Sequence, residues 1–354
     1  MRVLQLGPYP PPHGGIQTHL VALREFLLQR QIPCPVINLT RYRRAEVDDV
    51  YYPRSAFQVL WLLLTLRYDV AHLHIGGNID PRLFALCLAC CLIPRTRVVL
   101  TLHSGGYPSS PKGRTAHSLT LRGFILRLLD GLIAVNPEIV QLFHRFGVRP
   151  DRIRLISPYA LPGHSPHDSL PLPMQTFLRH HNPVLTTVGL LEPEYDLPIQ
   201  IEVLGRIRAR HPKAGLLIVG SGSRERQLLI RVGSQPYADH ILVCGEVPHR
   251  STLCAIAQSD MFLRTTQYDG DSIAVREALH LGVPVIATDN GMRPEGVELI
   301  PASDLEALEK AIEMRLAQPR RGQKQDSEAG AHNLEAVLHF YEQICDDGGA
   351  PRRG

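Results

Sequence analysis

The sequence predicts an α/β protein made of two Rossmann-like, doubly wound parallel-sheet domains facing a cleft. Three observations predict it. Short apolar runs alternate with amphipathic helical segments through both halves of the chain. A proline-rich stretch interrupts that alternation near the middle. The first strand runs into a glycine-containing loop and then a helix, the opening of a Rossmann-like unit.

Each element can be read in order. Val3–Leu6 is a strand candidate, followed by the loop Pro8–Gly15 and a helix over Ile16–Gln29. Strand candidates then fall at Val36–Leu39, Val70–Ile75, Val98–Leu102, Leu132–Val135 and Ile153–Ile156. Helical segments separate them at Phe57–Leu66, Pro81–Leu92, Ser118–Leu129 and Glu138–Phe146. Pro162–Pro183 carries several prolines and no period, and reads as a linker with a short helix over Met174–Arg179. The alternation resumes at Val184–Val188 and continues with strands at Leu216–Val219, Ile241–Val243, Met261–Leu263 and Val283–Ala287. Pro319–Gly330 reads as a loop, and Asn333–Ile344 as a last amphipathic helix. The predicted domains are 1–161, joined by the C-terminal helix 333–346, and 184–330, with 162–183 as linker.

Composition narrows the function. The chain has 354 residues, 44% hydrophobic and 20% charged, an ordinary globular balance for two cores. A formal charge of +4 is too small to argue for nucleic acid, and none is expected as a partner. It suits an anionic ligand or an anionic membrane surface. The 7 cysteines are odd in number and mostly sit in apolar stretches, so they read as reduced core residues. Met1–Pro12 lacks the apolar region of a signal peptide, and no apolar run reaches the roughly 18 residues a membrane span needs. A cytoplasmic location is the default expectation. The apolar segments Val59–Leu66 and Leu83–Ile93, with Arg41, Arg43 and Arg44 nearby, read as buried core helices. The alternative is a membrane-facing patch and a peripheral membrane contact.

Ligands of open α/β sheets sit at the carboxyl ends of strands. Candidate residues should lie there, and they do. Gly14 and Gly15 precede the first helix, where bare backbone and a helix N-terminus favour an anion, although a plain turn is an equal alternative. His103 ends a strand in front of Gly105-Gly106. His72 and His74 alternate with Leu73 on another strand, and packing is preferred to a metal pair. The richest segment is Tyr268-Asp269-Gly270-Asp271-Ser272-Ile273-Ala274-Val275-Arg276-Glu277. Asp271 or Ser272 is a good N-cap, and Gly282 with Pro284 suits the helix end. The free N–H groups of that helix start can hold a diphosphate. Glu277 lies about 6–8 Å further along the axis, the offset of a ribose attached to a phosphate. Its carboxylate can accept from both ribose hydroxyls.

With these residues in place the sequence resembles the retaining family 4 (group 1) glycosyltransferases of GT-B fold, over nearly its whole length. The resemblance is carried by Gly14-Gly15, Asp69–His74, Thr101-Leu102-His103, Gly147-Val148 and Ile156-Ser157-Pro158. In the second half it rests on Val188-Gly189-Leu190, Leu217–Gly222, Val243–Val247, the Asp269 and Glu277 pair, and Gly282–Asp289. It implies that Glu277 binds the ribose, that the backbone around Gly270, Ser272 and Ile273 faces the diphosphate, and that His103 and Asp269 contact the donor sugar. Gly14, Gly15 and Gly189 would line the donor. It also implies a metal-independent reaction with no cofactor beyond the nucleoside-diphosphate sugar, and a saccharide or lipid-linked acceptor, as in bacterial polysaccharide assembly.

Two departures stand out. Asp269 replaces the usual Glu. Leu190 and Tyr195 stand where the family places an Arg and a Lys. Two lost charge-assisted bonds would cost about 3–6 kcal/mol, or roughly 10²–10⁴ in rate. The expectation is compensation by Arg264, with Arg276 or Arg293 as alternatives. The competing functions are a weak or inactive nucleotide-sugar-binding protein and, more remotely, a sugar-nucleotide epimerase. Reading Asp269-Gly270-Asp271 as a metal-binding acidic pair fits the tandem organisation poorly.

Overall fold

The structure, a computed structural model, describes residues 1–10, 14–40, 47–77, 79–159, 170–269, 271–291, 293–318 and 328–346, with side chains from 332 onward in the last stretch. Gly270, Arg41, Arg43 and Arg44 lie outside the described residues. The chain divides into two compact units, Met1–Ala160 with Glu328–Gly354, and Leu161–Ser327.

Unit 1 holds a parallel seven-stranded sheet. Its strands are β1 (Val3–Gly7), β2 (Val36–Asn38), β3 (Val50–Tyr51), β4 (Val70–Ile75), β5 (Arg97–Leu102), β6 (Gly131–Ala134) and β7 (Ile153–Leu155). The order is β3-β2-β1-β4-β5-β6-β7, so the sequence order reverses between β1 and β4. The helices are α1 (Gly15–Gln29), α2 (Ala56–Thr65), α3 (Pro81–Cys91), α4 (Pro111–Arg114), α5 (Leu121–Leu128) and α6 (Pro137–Arg145). Local chemistry sets several of their starts. Ser55, Asp80, Thr120 and Asn136 each accept a backbone N–H through the side chain, and Pro81 and Pro137 open α3 and α6.

Unit 2 begins with α7 (Leu172–His180), within the stretch read as linker. Met174 and Phe177 bury that helix against Val184 and Leu217. Its sheet comprises β8 (Val184–Val188), β9 (Gly215–Val219), β10 (Ile241–Val243), β11 (Met261–Arg264), β12 (Val285–Thr288) and β13 (Val297–Ile300). The order is β10-β9-β8-β11-β12-β13, and here the reversal falls between β8 and β11. Its remaining helices are α8 (Leu197–Ile207), α9 (Glu225–Gly233), α10 (His249–Ala257), α11 (Ile273–His280) and α12 (Leu305–Leu316). Every strand pair in both sheets is parallel.

The last helix, α13 (Glu328–Asp346), belongs to unit 1. Leu334, Val337, Phe340, Tyr341 and Ile344 form its buried stripe, against Val3, Val70, Val99 and Ile133 of the sheet. Each such side chain contributes roughly 1.5–3 kcal/mol on full burial.

Two readings of local structure change. β3 and β13 were not expected; both are short edge strands with no strong pattern. The helix expected over Phe57–Leu66, read as a buried core helix at Val59–Leu66, is apolar on both sides. Leu62 and Leu63 are buried, while Phe57 (75%), Leu60, Trp61 (56%) and Leu64 face outward. Pro183 is preceded by a cis peptide bond.

Candidate functional site

Both switch points carry the residues that the sequence singled out. In unit 2, β8 ends at Val188 and continues into Gly189, beside β11, which ends at Arg264. A Cβ on Gly189 would lie 2.1 Å from the Tyr195 ring and 2.9 Å from the Arg264 guanidinium. Gly189 is therefore glycine for space. Its N–H donates to Val219 O at 3.0 Å, which holds the loop on β9.

Arg264 fills the room that Gly189 leaves. Its guanidinium lies over the Tyr195 ring at 4.6 Å, and Nη1 donates to Val188 O at 2.8 Å. Nε and Nη2 grip the Asp269 carboxylate at 2.9 and 3.2 Å. Arg293, after β12, donates to the same carboxylate at 2.9 Å, and also to Thr288 O and Thr266 Oγ1. The Asp269 carboxylate thus joins two nearly buried guanidinium groups, with side-chain exposures of 7% for Arg264 and 3% for Arg293. Burial opposes ionisation of Asp269, but Arg264 and then Arg293 outweigh it and hold its pKa below the usual value. Burial also works against the charge on Arg264, yet its two-point grip on Asp269 raises its pKa. Arg293 is lowered, by burial first and by the neighbouring Arg264 cation; its one bond to Asp269 offsets only part of this. Both remain cationic at neutral pH, so the trio carries one net positive charge.

Downstream, α11 starts after Ser272. Ser272 occupies the N-cap position, but its side chain does not cap the helix. That corrects the capping role expected of it. Its hydroxyl is buried and without a partner among the described residues. The other candidate cap, Asp271, instead accepts from Arg276 Nε at 2.6 Å, which removes Arg276 as a free compensating cation. Ile273, at the first helical position, is 7% exposed. Glu277 is 2% exposed, and its Oε1 lies 2.6 Å from His249 Nε2, at the start of α10. Burial pulls the His249 pKa down, but the charge and hydrogen bond of Glu277 outweigh it, leaving the pKa raised.

In unit 1, Gly14 caps α1 with an extended backbone at φ −152°, which any residue adopts. Neither strain nor a steric demand requires glycine there. Without side chains, Gly14 and Gly15 leave the first N–H groups of α1 uncovered. The β4 and β5 register sets His74 opposite Thr101. His72 is committed to structure, with Nδ1 facing Tyr341 Oη and Nε2 facing Thr101 Oγ1 at 2.7 Å. His74 lies on the same face, its ring 4.0 Å from that of His72, but has other partners: Nε2 meets Gln5 Oε1 and Nδ1 lies 3.3 Å from His103 Nε2. His19, on α1, completes the group through ring contacts with both. Burial lowers the His19 pKa to about 4, against the raising effect of its hydrogen bond to Pro158 O. Burial, then the neighbouring imidazoles, puts His74 and His103 well below the usual value. His103 is therefore a neutral imidazole at pH 7.

His19, His249 and the shared role of Arg293 are the residues that sequence reasoning missed or ranked low. No spacing could reveal them. His249 and Glu277 are 28 positions apart and meet through the packing of α10 on α11. The one local hint is His19, which follows Gly14-Gly15 within the first turns of α1.

Comparison with known proteins agrees with the two-unit fold. Residues 3–158 match the profile described as a glycosyl transferase 4-like domain, and residues 172–330 that of glycosyl transferases group 1. A GDP-mannose-dependent monoacylated alpha-(1-6)-phosphatidylinositol monomannoside mannosyltransferase of Corynebacterium glutamicum is 27% identical over 92% of this chain and 91% of its own length. A GDP-mannose-dependent alpha-(1-6)-phosphatidylinositol monomannoside mannosyltransferase of Mycolicibacterium smegmatis is 28% identical over 39% of this chain, and the match spans only 40% of that enzyme. Anabaena Alr3699/HepE, solved in complex with UDP and glucose, is 17% identical, with a TM-score of 0.64 over 99% of this chain and 100% of that one. A sucrose-phosphate synthase from Thermosynechococcus elongatus superposes with a TM-score of 0.65 at 18% identity, over 99% and 98% of the two chains. The chain belongs to the group 1, family 4 glycosyltransferases of GT-B fold.

Proposed function

We propose that this chain is a retaining glycosyltransferase that moves a sugar from a nucleoside-diphosphate sugar to a saccharide or lipid-linked acceptor, without a catalytic metal. The observation that carries the reading is the arrangement in unit 2. One net positive charge from Arg264, Asp269 and Arg293 lies at strand ends that also lead to the N-terminus of α11. Donor diphosphate there would meet a guanidinium, the first N–H groups of α11 and the Ser272 hydroxyl, which has no partner among the described residues. Glu277, one to two turns further on, would take the ribose hydroxyls. The same charge would stabilise the leaving nucleoside diphosphate as the glycosidic bond breaks.

This arrangement supplies what Leu190 and Tyr195 do not. Tyr195 gives Arg264 a flat surface to lie on, so the missing loop cations are replaced from β11 and from the loop after β12. Asp269 serves chiefly to hold these two arginines. Its contact with the donor sugar, implied by the family resemblance, would use whatever lone-pair capacity the two guanidinium groups leave. A carboxylate held by two guanidinium groups is also a poor metal ligand, which supports metal-independent leaving-group stabilisation. His103, neutral and at the end of β5, would act on the sugar through hydrogen bonds, and Gly14 and Gly15 would let it approach the start of α1. Retention of configuration and a polysaccharide or glycolipid pathway are carried over from the family.

The outward face of α2 supports a peripheral contact with the inner membrane surface. Phe57, Leu60, Trp61 and Leu64 form an apolar stripe between the exposed Arg54 and Arg67. No helix among the described residues is long and apolar enough to cross a membrane.

The test is a panel of GDP- and UDP-sugars, GDP-mannose included, followed for binding by thermal shift and for transfer or hydrolysis by NMR. Tight binding with an axial or equatorial product matching the donor anomer supports the proposal. Binding without turnover across the panel favours the inactive alternative, and conversion of donor with no acceptor favours an epimerase.

A further inference from the structure

We infer that His19, His74 and His103 form a binding site for a zinc-class divalent transition metal. The three side chains come from α1, the end of β4 and the residue after β5, so the unit 1 fold itself brings them together. Their ring centroids form a nearly equilateral triangle, with sides of 5.6, 5.5 and 5.6 Å. One ligand nitrogen from each can be chosen so that all lie within 4.8 Å of one another.

The geometry is close to what an ion needs. Zinc binds imidazole nitrogen at about 2.0–2.1 Å in tetrahedral sites. That bond length places ligand nitrogens roughly 3.4 Å apart and ring centres roughly 5 Å apart. His74 Nδ1 and His103 Nε2 are already 3.3 Å apart. His19 has to close by up to about 1.4 Å, within reach of a side-chain rotation.

The outer contacts orient the lone pairs of His19 and His74 inward, while His103 Nε2–H, which then donates to His74 Nδ1, has to pass its proton to its own Nδ1 for an ion to bind. Pro158 O can only accept, so the His19 Nδ1 at 2.8 Å must donate to it. That leaves the lone pair of His19 Nε2 free to face its neighbours. In the same way, His74 Nε2 meets Gln5 Oε1 and leaves Nδ1 as the ligand atom. Metal-binding histidines usually donate their other N–H to a carbonyl or carboxylate in this manner. His72 has both nitrogens engaged with Tyr341 and Thr101 and stays outside the ligand set. Three imidazoles with a fourth position left to water or an anion match an open zinc-type site more closely than a hard-cation site, which prefers oxygen. His103 is half-buried while the other two are buried, so an ion would enter from the His103 side.

Because His103 is one of the ligands, loading would take it away from the sugar. That consequence rests on the role of His103 proposed above, whereas metal binding does not. The experiment therefore reads the metal and not the activity. Full-length protein stripped with EDTA is titrated with Co²⁺ and then with Zn²⁺. The expected result is one equivalent of Co²⁺ with intense tetrahedral visible bands, bleached by Zn²⁺. His103→Asn and His19→Gln should each weaken Co²⁺ at least tenfold, and Gln5→Met about 10–100-fold. His339→Asn, at an exposed position on α13, should change nothing. If a buried variant unfolds by circular dichroism, the half-buried His103→Asn decides. Weak octahedral bands in the native protein, or tetrahedral Co²⁺ retained by a folded His103→Asn, would overturn the assignment.

Discussion

His249 Nε2 and Glu277 Oε1 meet at 2.6 Å, joining the start of α10 to a nearly buried carboxylate one turn into α11. The pair has a predictable pH signature. The folded-state pKa of His249 is raised, while the unfolded chain titrates near 6.5. Its contribution to stability is therefore complete below about pH 6.5 and is lost as pH rises through the raised value. His249→Asn should cost most at pH 6 and progressively less at pH 7 and 8, measured by urea unfolding. A cost independent of pH would show that the proton is not shared in this way.

Arg293 and Arg264 should be separable by mutation. Removing one charge-assisted donor costs about 1.5–3 kcal/mol, or roughly 10–150-fold in affinity. Arg293→Ala should weaken nucleoside-diphosphate binding within that range in calorimetry, because the trio becomes neutral. Arg293→Lys should recover only part of it, since an ammonium cannot reproduce the planar contacts to Asp269, Thr266 and Thr288. Arg264→Ala should weaken binding as well and additionally lower the unfolding midpoint, since it also holds Val188 O and lies on Tyr195. Unchanged donor affinity and turnover in Arg264→Ala would remove the idea that these arginines replace the missing loop cations.

Gly189 and Tyr195 should behave as a coupled pair. A Cβ at Gly189 would come within 2.1 Å of the Tyr195 ring, and overpacking of this kind typically costs about 1–3 kcal/mol. Gly189→Ala should destabilise the protein by that amount in chemical unfolding. The double variant with Tyr195→Ala should be less destabilised than the sum of the two single ones. Strict additivity would mean that the glycine serves some other purpose.

The α2 stripe gives a test at the membrane. Phe57→Glu combined with Trp61→Glu should abolish flotation with anionic liposomes. Both sites are more than half exposed, so stability should change by no more than about 0.5 kcal/mol per site. Flotation equal to that of the wild type would assign the stripe to another partner.

How much of this was legible in the sequence depended on how local the cause was. The end of α11 could be read directly: Gly282 takes φ 72°, and the Val283 N–H returns to Ala278 O at 2.9 Å. The strands with glycine or histidine at their ends were equally legible, because period and punctuation are local signals. What a side chain meets across the fold was not. Asp271 and Ser272 suit an N-cap by type, yet the first is taken by Arg276 and the second has no partner among the described residues. The apolar character of α2 was plain, but a sequence does not say which face finds a neighbour, so a core helix was expected where Trp61 faces outward. Arg264 was identified at a strand end, and its pairing with Asp269 spans few positions. Arg293 reaches the same carboxylate only because β12 lies beside β11.

The central claim is that the segment from Asp269 to Glu277 holds the donor, and Glu277 is its most exposed consequence. The direct measurement is calorimetric titration of wild-type protein and Glu277→Gln with GDP, UDP and the same nucleoside diphosphates built on 2′,3′-dideoxyribose. The account predicts that Glu277→Gln loses at least tenfold in affinity for the preferred diphosphate, with little further loss on the dideoxyribose analogue. Equal affinity of the wild type and Glu277→Gln, with a folded variant, would contradict it.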